Sequence, residues 1–141
     1  MNALSLQSEQ EAAVAILFAC LFQQDAQPGE ARIEQLSRML VLCSRFRGHD
    51  LTELSSKALQ AYTRDGARAV VEGAAPLITP DFKETLFAMI CELMTDAGQL
   101  PESSSEQLGA CALYLGIPVE LMRSMLTTYL IRNRFNVQII E

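Results

Sequence analysis

The chain has 141 residues, 50% hydrophobic and 20% charged, a balance that excludes disorder and is long enough to bury roughly 70% of the surface an unfolded chain exposes. Seventeen acidic against eleven basic residues give a net charge of −6, the wrong sign for a protein that tracks phosphates, so nucleic acid is excluded as a partner. With no Trp and 6% aromatic residues, the core must be built from Leu, Ile, Val, Ala, Met and a few Phe, which suits interlocked helices.

In chain order, Ser8 and Glu11 form a Ser-x-x-Glu capping box and predict a first helix that stops near Asp25. Its apolar run, Ala12 to Phe22, is eleven residues long. That is short of the ~20 residues that cross a bilayer, so the run reads as a helix buried on all sides and no membrane span is expected. Pro28 and Gly29 break the pattern, and a second helix follows with Ile33, Leu36, Met39, Leu40 and Cys43 on one face until Gly48. Asp50 with Glu53 opens a third helix through Leu51, Leu59 and Tyr62, and Asp65 with Gly66 starts a fourth through Val70 and Val71. Gly73 and Pro76 close that half.

Thr79-Pro80 predicts a fifth helix, because Pro loses nothing at the first helical position, with Phe82, Leu86, Met89, Ile90 and Leu93 inward and a stop at Gly98. Pro101 begins a sixth that holds Leu108, Cys111, Ala112 and Leu115. Pro118 begins a seventh with Val119, Met122, Leu126, Tyr129 and Leu130 inward. Arg123, Arg132 and Arg134 lie towards its carboxyl end, where positive charge meets the negative end of the helix dipole. Phe135, Val137 and Ile139 alternate with Asn136 and Gln138, and the segment from Phe135 to Ile140 reads as an extended tail, expected to mediate homodimer packing.

An internal repeat runs through this order. Phe18 to Ala26 matches Met89 to Ala97 at an offset of 71, and Glu34-Gln35-Leu36 matches Glu106-Gln107-Leu108 after one inserted residue. Each half has an apolar helix ending in Asp-Ala, a turn containing Pro and Gly, and an acidic helix start. The expected fold is therefore all-α: one domain over residues 1–141, a seven-helix bundle of two pseudo-twofold-related repeats, about 8–76 and 79–134, with a tail at 135–141.

The stretch Met94 to Glu102 followed by Glu106, with the later Leu115-Gly116-Ile117-Pro118, resembles the corner and helix link of the TerB-like, tellurite-resistance protein B family. The resemblance spans about Ser8 to Arg134. It implies a compact helical bundle with a bacterial cytoplasmic role in tellurite or other chemical stress, binding metal ions or partner proteins rather than catalysing. The family's Gly after Asp is replaced by Ala26 and Ala97, with a glycine one residue later only at Gly98.

Two acidic sets sit at equivalent corners: Asp25, Glu30 and Glu34, and Asp96, Glu102 and Glu106. As hard oxygen ligands they suit a divalent metal ion such as Ca²⁺ or Mg²⁺, the only cofactor expected. The same residues suit a plain structural role better, with Glu answering a helix dipole and Asp bracing a turn. Neither corner is an EF-hand, because Leu36 and Gln107 stand where the bidentate Glu belongs.

Catalysis is not expected. His49 is the single histidine, so the paired Glu-x-x-His of a carboxylate di-iron bundle cannot be assembled, and no Gly-x-Ser-x-Gly or phosphate-cradling loop occurs. Cys20, Cys43, Cys91 and Cys111 show no close pairing and read as small buried hydrophobes of a reducing compartment. The amino-terminal residues show no secretory pattern, and a cytoplasmic location is the expectation. A ligand-free protein–protein interaction domain is the alternative function, with the partner unnamed.

Overall fold

A computed structural model describes residues 6–24, 28–96 and 98–136. Six α-helices follow in order: α1 Glu9–Gln24, α2 Glu30–Val41, α3 Leu51–Ala74, α4 Pro80–Met94, α5 Glu102–Leu115 and α6 Val119–Arg132, with short 3-10 turns at Ser44–Phe46 and Ala75–Leu77. No strand occurs among the described residues. None of these helices is long and apolar enough to cross a membrane.

The α1 helix is the axis of the bundle. Every residue from Ala12 to Leu21 is buried, as its unbroken apolar run demands, and α3 packs along it more extensively than any other helix does. Ser8 Oγ accepts from the Glu11 amide at 3.1 Å, while the Glu11 carboxylate reaches one residue past the expected box and accepts from the Gln7 amide at 2.9 Å.

The helix count is six where seven were expected, because the third and fourth expected helices form one element. Two helical segments meet within it at Gly66, whose non-helical φ of 83° and ψ of 166° are open only to glycine and break the helix where the fourth was expected to start. The inward face of α3 also differs from the one read from its large residues. Leu54, Ala58 and Ala61 are buried, whereas Leu59 is exposed and Leu51 and Tyr62 are half-buried. Small side chains let α3 approach the alanine-rich α1 closely, and a reading weighted by side-chain size passes over them.

Helices α2 and α5, expected from the sequence to be counterparts, pack unequally. Helix α5 buries seven residues, Ser104 and Gln107 among them, while its counterpart α2 buries only Leu36 and Leu40. The α6 helix buries none: Val119, expected inward, is exposed, and Met122, Leu126, Tyr129 and Leu130 are half-buried.

Candidate functional site

The corner between α4 and α5 is the best-defined polar site. Beyond Met94 the chain turns through Thr95, which is fully buried and donates its hydroxyl to the Cys91 carbonyl at 2.7 Å. Asn133, just past α6, donates to Thr95 Oγ at 3.1 Å, and Asn136 donates to the Asp96 carbonyl at 3.1 Å. At Gly98 φ is +78°, so the glycine that stands one residue later than in the resembled family occupies the left-handed position of the turn.

Asp96 does not face this turn as a free ligand. Arg32 Nη1 lies 2.8 Å from each of its carboxylate oxygens, and both side chains are 17% exposed. Arg32 Nη2 continues to Gln24 Oε1 at 2.8 Å and to the Leu93 carbonyl at 3.1 Å, and Gln24 donates to the Met94 carbonyl at 3.0 Å. A charge-assisted contact of this kind is among the stronger hydrogen bonds available, and here it ties the first turn of α2 to the ends of α1 and α4.

The other acids of the two sets stand apart from it. Asp25 lies outside the described residues. Glu30 and Glu102 are exposed in the first turns of α2 and α5, where their charge answers the helix dipole. Glu34 is exposed and pairs with Arg38 at 3.1 Å along α2. Glu106 faces the other side of α5, near Arg68. Among the described residues no three His, Cys, Asp or Glu side chains come together as a metal group.

Comparison with protein-family models, characterised proteins and solved structures finds no match to this chain. The functional reading therefore rests on the geometry.

A second polar cluster, unforeseen in the sequence, joins the amino-terminal ends of α1 and α4. Glu9 accepts from the Thr79 amide at 2.7 Å and from Arg45 at 2.7 Å. Thr79 Oγ lies 2.5 Å from Glu9 and 2.6 Å from Asp81, so its one proton is shared between two carboxylates. Arg45 also pairs with Asp81 and lies over the Phe82 ring at 5.0 Å. Burial pushes the Glu9 carboxyl up, but the Thr79 and Arg45 hydrogen bonds and the Arg45 charge outweigh it and hold the group below its ordinary value. Glu11 behaves likewise through Lys57, 2.9 Å away, and the Gln7 amide. These clusters fasten elements 36 to 70 residues apart, and no local spacing marks such partners in a sequence.

The thiols gather as well. Cys20, Cys91 and Cys111 are fully buried, and the sulfurs of Cys20 and Cys111 are 3.5 Å apart. Burial, then the neighbouring Cys20, pushes the Cys91 thiol up to about 12; contact with Cys20 and burial raise Cys111 as well. Protonated thiols of this kind are inert as nucleophiles. The lone His49 is exposed, in the turn that leads to α3.

Proposed function

We propose that this chain is a non-enzymatic, stress-associated binding protein of the TerB-like kind that works by protein contact, through the face formed by α4 and α6, with a second copy of itself as the partner. The observation that carries this reading is the state of α6. It presents Leu121, Met122, Met125, Leu126 and Tyr129 to the core, yet buries no residue, and Ile131 and the following Phe135 are exposed, the latter by 89%. Apolar surface left half-covered along a whole helix is the usual mark of an interaction face.

Charge supports a second copy as the occupant. Residues 119–134 carry Arg123, Arg132 and Arg134 against Glu120, a net charge of +2 in a chain of −6. The adjoining α4 presents Glu84 and Glu92, the latter close enough to Tyr129 to help burial raise its hydroxyl. A twofold contact sets the α6 of each copy against the α4 of the other, so arginines meet glutamates twice. The ion pair of Asp96 with Arg32, a brace between α2 and the α4–α5 corner, supports this reading less directly.

Sedimentation velocity tests it. A dimer mass is expected that reverts to monomer in Leu126→Glu and weakens with added salt, while the circular dichroism of the variant stays helical. A wild-type chain that remains monomeric at high concentration would rule out the second copy as partner.

A further inference from the structure

Two of the thiols meet across the core. Cys20, near the carboxyl end of α1, and Cys111, within α5, stand 91 positions apart in the chain, yet their sulfurs lie 3.5 Å from each other. We propose that Cys20 and Cys111 form an oxidation latch, which an oxidant of the peroxide class closes as a disulfide that ties α1 to α5.

Geometry supplies the first reason. The sulfurs are already in contact, so rotation of the two side chains brings them within bonding reach. The choice of residue supplies the second. The α1 helix fills its other small buried positions with alanine, at Ala12, Ala13, Ala15 and Ala19, and carries a thiol at the position that faces the thiol of α5. Cys91 of α4 is the rival partner. It lies near enough to act on Cys111 through charge, but the sulfur that touches Cys111 is that of Cys20. Cys43, half-buried after α2, stands outside the core.

In the closed bundle both residues are fully buried, so oxidation takes place during the openings that also admit an alkylating reagent. The exposed thiol, as its thiolate, attacks one oxygen of hydrogen peroxide. A sulfur–oxygen bond forms, the oxygen–oxygen bond breaks, and the departing hydroxide takes up a proton as water, leaving a sulfenic acid. When the bundle recloses, the partner sulfur attacks the oxidised one. The sulfur–sulfur bond forms, the sulfur–oxygen bond breaks, and the released hydroxide leaves as water with the partner's proton. Two thiols and one peroxide thus give one disulfide and two waters, the sulfurs oxidised and the peroxide oxygens reduced. A link between positions 91 apart restricts the unfolded chain and holds α1 against α5, so the oxidised bundle opens less often. The pair sits on α1 and α5, away from the α4 and α6 face, so oxidation and dimerisation are separable.

The test is incubation of the reduced chain, carrying Cys43→Ser to remove the accessible thiol, with hydrogen peroxide under native conditions, followed by peptide mapping by mass spectrometry without reduction. A cross-link between the peptides of Cys20 and Cys111 is expected, with the loss of two hydrogens from the intact chain and Cys91 still a free thiol. The cross-linked form is expected to melt several degrees higher than the reduced form and to label Cys91 with iodoacetamide at least tenfold more slowly. Cys20→Ala and Cys111→Ala are each expected to abolish the cross-link and both of its effects, whereas Cys91→Ala retains them. Should an alanine variant fail to fold, the peptide map of the Cys43→Ser chain decides alone. Core thiols that stay reduced or pass to sulfinic acid, a cross-link that runs to Cys91, or a cross-linked form that opens as often as the reduced one would each overturn the inference.

Discussion

A β-carbon on Gly98 would stand 2.8 Å from the carbonyl oxygen of Asn133 and 3.1 Å from the α-carbon of Arg134. The close approach lets the end of α6 cross the α4–α5 corner, where Asn133 reaches the buried hydroxyl of Thr95. The positive φ at Gly98 and this backbone contact penalise any side chain together. Gly98→Ala should therefore lower stability by about 2–4 kcal/mol, the sum of a left-handed backbone cost and an overpacking cost. Urea unfolding measures it; a change below about 0.5 kcal/mol would mean that the end of α6 yields freely.

Asp96→Asn should cost about 1–3 kcal/mol, since it leaves Arg32, largely buried against Leu93 and Gln24, without its counter-charge. Arg32→Met combined with Asp96→Asn should cost less than the two single changes added together. A double-mutant cycle reads that difference as coupling, and strict additivity would show that the pair is not a unit. With Asp96 held by Arg32, millimolar Ca²⁺ or Mg²⁺ should leave the melting temperature of the wild type unchanged.

These two corner contacts mark the boundary of what the sequence makes legible. The apolar run Ala12 to Phe22, the capping residues Ser8 and Asp50, and the proline at the start of α4 act within a few residues, so their helices can be read directly. The break at Gly66 is legible as a position, because its backbone angles are open only to glycine. The role of Asp96 was not legible, because Arg32 lies 64 residues away and its alignment depends on how two helical hairpins meet. Glu30 and Glu102 stand in the first turns of their helices, a local position that spacing shows, whereas charge pairing across the bundle decides where Asp96 points.

Acid should loosen the chain at the amino-terminal ends of α1 and α4 first. Glu9 and Glu11 have folded-state values below their ordinary 4.5, so the stability they contribute is present in full above that pH. It is lost as pH falls further, through the lowered folded values, where protonation breaks the contacts with Arg45, Thr79 and Lys57. Glu9→Gln should be less stable than wild type at neutral pH, with a flatter decline below pH 4.5. Denaturant melts across the acid range test the sign: a variant curve parallel to the wild type would remove Glu9 from the acid response.

Alkylation should separate the four cysteines by burial. Cys43, half-buried after α2, should react with iodoacetamide in the native protein, whereas Cys20, Cys91 and Cys111 are fully buried. Cys91 and Cys111 are also held protonated well above neutral pH, so their thiolate fraction is minute even where the reagent reaches them. One modified cysteine per chain is expected natively, and four after unfolding. Because the three core thiols sit on α1, α4 and α5, their slow labelling reports how often the bundle opens. Gly98→Ala should accelerate their labelling while leaving Cys43 unchanged, because weakening the α4–α5 corner raises the population of the opened bundle. Mass spectrometry of timed samples decides it, and equal acceleration at Cys43 would point instead to a general loosening of α2.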